Sequence, residues 1–152
     1  RHSFPTRRSS DLAEVASRLG WLSALVWRQV EVGNDASLVA EGVDLARRAL
    51  AATPPGVTGR GNRLAVLLQR LADAAELTGE GGFLAEAADL AGHGFGADLT
   101  GPRLLTLALR LSDLLMAQGS DDLSKWPRGS FLGSAAVIRT LVPKRTEPGE
   151  QP

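Results

Sequence analysis

The chain has 152 residues, 43% hydrophobic and 22% charged, and its 17 basic and 17 acidic side chains cancel to a formal net charge of zero. That is ordinary for one folded domain, and the balance removes any overall electrostatic drive toward nucleic acid or an anionic membrane, so neither is expected as a partner. With no cysteine there is no disulfide, thiolate nucleophile or thiolate metal site, which suits a cytoplasmic protein, and no apolar run approaches the roughly 18 residues of a membrane span.

Residues 1–12, RHSFPTRRSSDL, are polar, follow neither a helical nor a strand period and contain no methionine. Back-translated, His2 onward resembles a common short-read sequencing adapter joined to an open reading frame. The segment is read as non-native and set apart from the fold, as a tag would be; a disordered basic extension is the other reading. Arg1, Arg7 and Arg8 are on either view no nucleic-acid arm. The native chain is expected to begin elsewhere.

Residues 14–30 place Val15, Leu19, Leu22 and Val26 at helical spacing, which predicts a first amphipathic helix, A1. Gly33-Asn34-Asp35 breaks it, and Ser37 is a candidate cap for the next helix, B1, whose apolar stripe is Val39, Val43, Ala46 and Leu50. Thr53-Pro54-Pro55-Gly56 ends B1, since proline lacks the amide hydrogen and disfavours helix in its predecessor. A2 is expected over about 62–77 with Leu64, Leu67, Leu71 and Ala74 or Ala75 inward, and B2 follows the Gly79-Glu80-Gly81-Gly82 turn with Phe83, Ala87, Leu90 and Gly94. Thr100 and Pro102 suit the start of A3, over about 103–117. B3 is expected over 131–142 after a long connection, 118–130, and the polar, proline-rich residues 143–152 read as a tail or linker.

These elements repeat. EVGNDASLVAEGVDLARRAL (31–50) returns as ELTGEGGFLAEAADLAGHGF (76–95), 45 residues on and without a gap. Glu31/Glu76, Ala40/Ala85, Glu41/Glu86, Asp44/Asp89, Leu45/Leu90 and Ala46/Ala91 are identical. A more worn third copy carries Arg63, Leu64, Arg70, Leu71 and Asp73 onto Arg103, Leu104, Arg110, Leu111 and Asp113. Self-similarity of this period is the signature of stacked repeats. The expected architecture is all-α: an α-solenoid of about three helical hairpins (14–55, 59–97 and 100–142), a fragment of a longer array, each pair covering the apolar face of the next.

Leu19-Gly20, Gly42, Ala49 and Pro54 resemble the tetratricopeptide repeat (TPR), in which a Leu-Gly pair, small B-helix residues and a closing proline recur. Gly42 to Pro54 matches the interval of that family, while Gly20 to Gly42 is longer than in its usual unit; copies two and three lose the small-residue and proline positions. RRALAATPPG (47–56) with the preceding LVAEGVDLA resembles the long-unit TPR arrays of actinobacterial proteins, which often accompany a caspase-like domain of the CHAT type. The resemblance implies a protein-binding scaffold whose A helices line a concave groove that takes a peptide or partner helix. It nominates Ser17, Trp21, Asn62, Gln69, Arg70, Thr106 and Arg110 as binding residues. The alternative it leaves open is a regulatory segment of a larger enzyme, a CHAT protease or a signalling ATPase, whose catalytic domain lies outside this chain.

The residues themselves give no sign of catalysis, and no metal or cofactor is expected. His93 lies among glycines and a metal site needs three or four converging ligands. The pairs Glu41/Asp44 and Glu86/Asp89 recur, which favours a solvated face or a hairpin contact over acid–base work. Gly59-Arg60-Gly61 and the glycines around His93 follow no strand and precede no Gly-Lys-Ser/Thr, so neither reads as a phosphate loop. Ser130 and Ser134 have no identifiable base. Trp21 and Trp27, six apart, fall on different faces of A1: one is an exposed anchor or is covered by a further repeat. Trp126 is expected to tack the 118–130 connection to the helices. For Arg70 and Arg110 two readings stand, a paired clamp for a peptide carboxylate and a solvated face with local ion pairs to Asp73 and Asp113. Self-association through exposed repeat ends is also expected.

Overall fold

The computed structural model describes residues 4–92 and 102–117. Among these it is all-helical, with no strand: α1 (Phe4–Gly33), a 3-10 turn (Ala36–Leu38), α2 (Val39–Ala51), α3 (Arg60–Thr78), α4 (Gly81–Gly92) and α5 (Pro102–Ala117). α1 packs on α2, α2 on α3, α3 on both α4 and α5, and α4 on α5. These elements correspond to A1, B1, A2, B2 and A3. B3, the 118–130 connection with Trp126, His93, Ser130, Ser134 and the tail lie outside the described residues.

Local signals account for most boundaries. α1 ends at Gly33, after which Asn34 adopts φ +50, a left-handed conformation that asparagine tolerates better than most residues. The cap that follows differs from expectation: Asp35 is the acceptor, taking 3.0 Å and 2.6 Å bonds from the Ser37 amide and hydroxyl. Ser37 is thus the donor to the cap. α2 stops before the two prolines, and the buried Thr53 hydroxyl returns a 2.9 Å bond to the Ala49 carbonyl. Gly79, at φ +73, closes α3 through a 2.9 Å bond to the Ala75 carbonyl, the left-handed glycine ending that leaves no side chain in the way. Pro102 occupies the first position of α5, where its missing amide is no loss.

One apolar core runs through all five helices. Trp27 and Val30 enter it from α1, Val39, Val43, Ala46 and Leu50 from α2, Leu64, Leu67, Leu68, Leu71 and Ala74 from α3, Leu84, Ala87 and Ala91 from α4, and Leu107, Leu111 and Leu115 from α5. The stripes expected for B1 and A2 are buried as read.

Two stripes are turned. In α1 the buried row is Ala16, Ser23, Trp27 and Val30, while Val15 and Leu22 are 47% and 43% exposed. Apolar residues occur almost all round this helix, so spacing alone leaves its rotation open. What fixes it is Trp27, whose ring needs the room left by Gly42 of α2; a Cβ there would lie 2.8 Å from its Cε3. The Ser23 hydroxyl donates a 2.8 Å bond to the Gly42 carbonyl on the same contact. In α4 the fully buried row is Leu84, Ala87 and Ala91, with Phe83 and Leu90 only partly covered. α1 also extends back through residues 4–12, although these show no helical period in sequence.

Candidate functional site: the side of α1, α3 and α5

Arginines bridge between the helices. On the side of α1, α3 and α5, Arg63 of α3 reaches across to α1, where Nη1 donates a 2.9 Å bond to the Ala16 carbonyl and Nη2 lies 3.3 Å from Ser17 Oγ. Gly20 admits this guanidinium: a Cβ there would come 3.1 Å from Nη1. One turn-pair further on, Arg110 of α5 bonds Asp73 at 2.5 Å and Glu76 at 2.8 Å, both on α3. Burial opposes the charge on Arg110, but its hydrogen bonds to Glu76 and Asp73 and their negative charges outweigh that, and its pKa is raised. On the side of α2 and α4, Arg47 makes a two-pronged contact with Glu86, 2.8 Å and 3.1 Å, and a 3.2 Å bond to Asp44. The bond to Glu86 is the main reason that the Arg47 pKa is raised.

Arg70 turns inward instead. Its guanidinium carbon stands 5.1 Å from the centre of the Trp27 ring, within cation–π range. Burial lowers its pKa, offset in part by the charges of Asp73 and of Glu31 on α1; an arginine remains protonated at neutral pH. Glu31 is the repeat counterpart of Glu76. Arg70 therefore feels the carboxylate at the end of α1, while Arg110 bonds the one at the end of α3. Of the two readings of these arginines, the paired carboxylate clamp has no support in this geometry: Arg110 is held by two carboxylates and Arg70 lies against an indole. Asp73 is bonded by Arg110 of the next helix.

Among the described residues, two hollows border α3 on this side. The first, about 340 Å³, is lined by Ser17, Gly20, Trp21 and Ser23 of α1, Ala46 and Ala49 of α2, and Asn62, Arg63 and Val66 of α3. The second, about 240 Å³, is lined by Ala65 and Gln69 of α3 and Thr106, Leu107 and Arg110 of α5. Six of the seven nominated residues thus line one hollow or the other, three in each; Arg70 lines neither. Trp21 is 65% exposed over the first hollow, whereas Trp27 is buried, so the two indoles part as their spacing requires. Arg63 is the residue that sequence reasoning missed. Its return as Arg103 at the same place in the third copy was the available signal.

Among the described residues no group of three His, Cys, Asp or Glu side chains could hold a metal ion, and no helix is long and apolar enough to cross a membrane. No protein-family model, curated protein or solved structure matches the chain.

Proposed function

We propose that the chain is a TPR-like solenoid segment that works as a protein–protein interaction scaffold, docking a peptide or partner helix along the row of α1, α3 and α5, with no catalytic machinery of its own. The observation that carries this reading is the lining of the first hollow. An exposed indole, a hydroxyl and a carboxamide, from Trp21, Ser17 and Asn62, converge on one concavity between successive A helices. Tryptophan combines large apolar area with few torsions to freeze and is enriched at binding hot spots. A carboxamide both donates and accepts, which suits it to the backbone of a bound peptide. Support for the family reading comes from Gly20 and Gly42, each of which admits a side chain of a neighbouring helix. With Arg70 and Arg110 engaged inside the fold, recognition rests on the indole and these neutral polar groups, and a carboxylate clamp is no part of it.

The test is selection of peptides from a display library against the full chain, followed by affinity measurements on variants. Trp21→Ala is expected to cost the selected peptides about 2 kcal/mol, roughly 30-fold in Kd, and Asn62→Ala a smaller factor, with helicity unchanged. Peptides that bind both variants as tightly as the parent chain would refute the reading.

A further inference from the structure

On the side of α1 turned away from the core lies a second row that the docking groove does not use. Val15, Leu22, Leu25 and Val32 are 47%, 43%, 41% and 82% exposed, a run of aliphatic side chains that no described helix covers. With Arg18 and Gln29 they form two interleaved sevenfold series, Val15, Leu22, Gln29 and Arg18, Leu25, Val32. At about 100° per residue the six positions fall within an arc of about 100°, centred roughly 140° from the buried row of Ala16, Ser23, Trp27 and Val30. That is the spacing of a two-stranded coiled-coil seam, and among the described residues no second helix faces it.

We propose that the second strand is α1 of another copy of this chain, running antiparallel about a two-fold axis. The spacing argues for a self-pair. Val15, Leu22, Leu25 and Val32 are separated by seven, three and seven residues, a pattern that reads the same in reverse. A two-fold axis near the midpoint of Leu22 and Leu25 therefore sets Val15 against the partner's Val32 and Leu22 against the partner's Leu25, all four apolar residues matched at once. An unrelated partner has no need of such symmetry.

Charge selects the direction. In the same register Arg18 meets the partner's Gln29, whose amide oxygen accepts from a guanidinium. A parallel pair would instead bring Arg18 against the partner's Arg18 inside the seam, a like-charge contact that opposes assembly. In the free chain Arg18 is 75% exposed and bonded at 2.6 Å to Glu14, leaving it within reach of a partner helix. A shallow hollow of about 440 Å³ lined by Leu25, Arg28, Gln29, Val32 and Gly33 is where the partner's Val15, Arg18 and Leu22 would lie. The contact uses none of residues 1–12. It is also independent of the docking groove, with Trp21 on the border between the two faces.

The absence of cysteine makes the test clean. Val15→Cys and Val32→Cys are made as separate full-length chains, then oxidised alone and mixed. Antiparallel pairing predicts a disulfide-linked heterodimer in the mixture and little linkage in either sample alone, because like positions are then about 25 Å apart along the helix. Sedimentation of the unmodified chain over a concentration series should show a monomer–dimer equilibrium, and Leu25→Glu should raise its Kd by at least about 100-fold, with unchanged helicity by circular dichroism. Efficient self-linkage of Val15→Cys would overturn the proposal in favour of a parallel pair. A chain that stays monomeric throughout would overturn it altogether.

Discussion

The six-membered ring of Trp27 fills the space in which a side chain on Gly42 would begin, 2.8 Å from that Cβ position to Cε3. This contact sets the rotation of α1 on α2. Alanine at position 42 would gain about 1 kcal/mol of helix propensity, but overpacking a closed contact costs about 1–3 kcal/mol. The ring has little freedom to retreat, being 1% exposed with Arg70 over its face. Gly42→Ala is expected to lower stability by about 1 kcal/mol net in urea unfolding. Gly82 supplies the contrast. It too is helical, but nothing lies within 4 Å of its Cβ position, so Gly82→Ala should raise stability by about 0.5–1 kcal/mol.

Arg47 and Glu86 join α2 to α4, yet their side chains remain 44% and 32% exposed. Solvent screening holds such a pair to about 0.5 kcal/mol of coupling even with two-pronged geometry. A double-mutant cycle, Arg47→Ala with Glu86→Ala, should give that value at low salt and almost nothing in about 1 M salt, where the Debye length is near 3 Å. Coupling of several kcal/mol, or coupling indifferent to salt, would contradict this picture.

Ser112 of α5 is fully buried, and its hydroxyl has no hydrogen-bond partner among the described residues. Its counterpart one copy earlier is Ala72, equally buried. Ser112→Ala removes an unpaired polar group and improves helix propensity, so stability should rise by about 1 kcal/mol. Thermal unfolding of the variant at neutral pH checks this, and a fall in Tm would contradict it.

The carboxylate of Asp35 accepts from the Ser37 hydroxyl and amide, which lowers its pKa below the ordinary aspartate range. A depressed folded-state value means that the ionised form favours the folded chain. Its contribution is fully present above the unfolded value, near 3.9, and is lost as pH falls through the folded one. In carbon-detected NMR the Asp35 carboxyl should titrate lower than an ordinary aspartate, and Ser37→Ala should move it back upward. The loss of stability on acidification that belongs to Asp35 should vanish in Asp35→Asn.

The helices themselves were legible because apolar spacing, prolines and glycines agree over residues 39–78 and 102–117. Less legible was the rotation of α1. Val15, Leu22, Leu25 and Val32 compete with Ala16, Trp27 and Val30 for the core, and the outcome depends on Gly42, a residue of another helix. Ser17, Trp21, Asn62, Gln69, Thr106 and Arg110, which the family resemblance nominates by position, line hollows bordered by α3. The roles of the arginines were not legible. Whether a guanidinium is open or engaged depends on carboxylates and carbonyls that approach from the neighbouring pair, as Asp73 and Glu76 do for Arg110 and the Ala16 carbonyl does for Arg63.

The most direct measurement of the central claim is an NMR footprint of a library-selected peptide on the isotope-labelled chain. Docking along the row of A helices predicts that amide and indole shifts concentrate at Ser17, Trp21, Asn62 and Val66 and extend toward Gln69 and Thr106. A footprint centred on Arg47, Glu86 and the outer side of α2 and α4, with Trp21 unmoved, would contradict it.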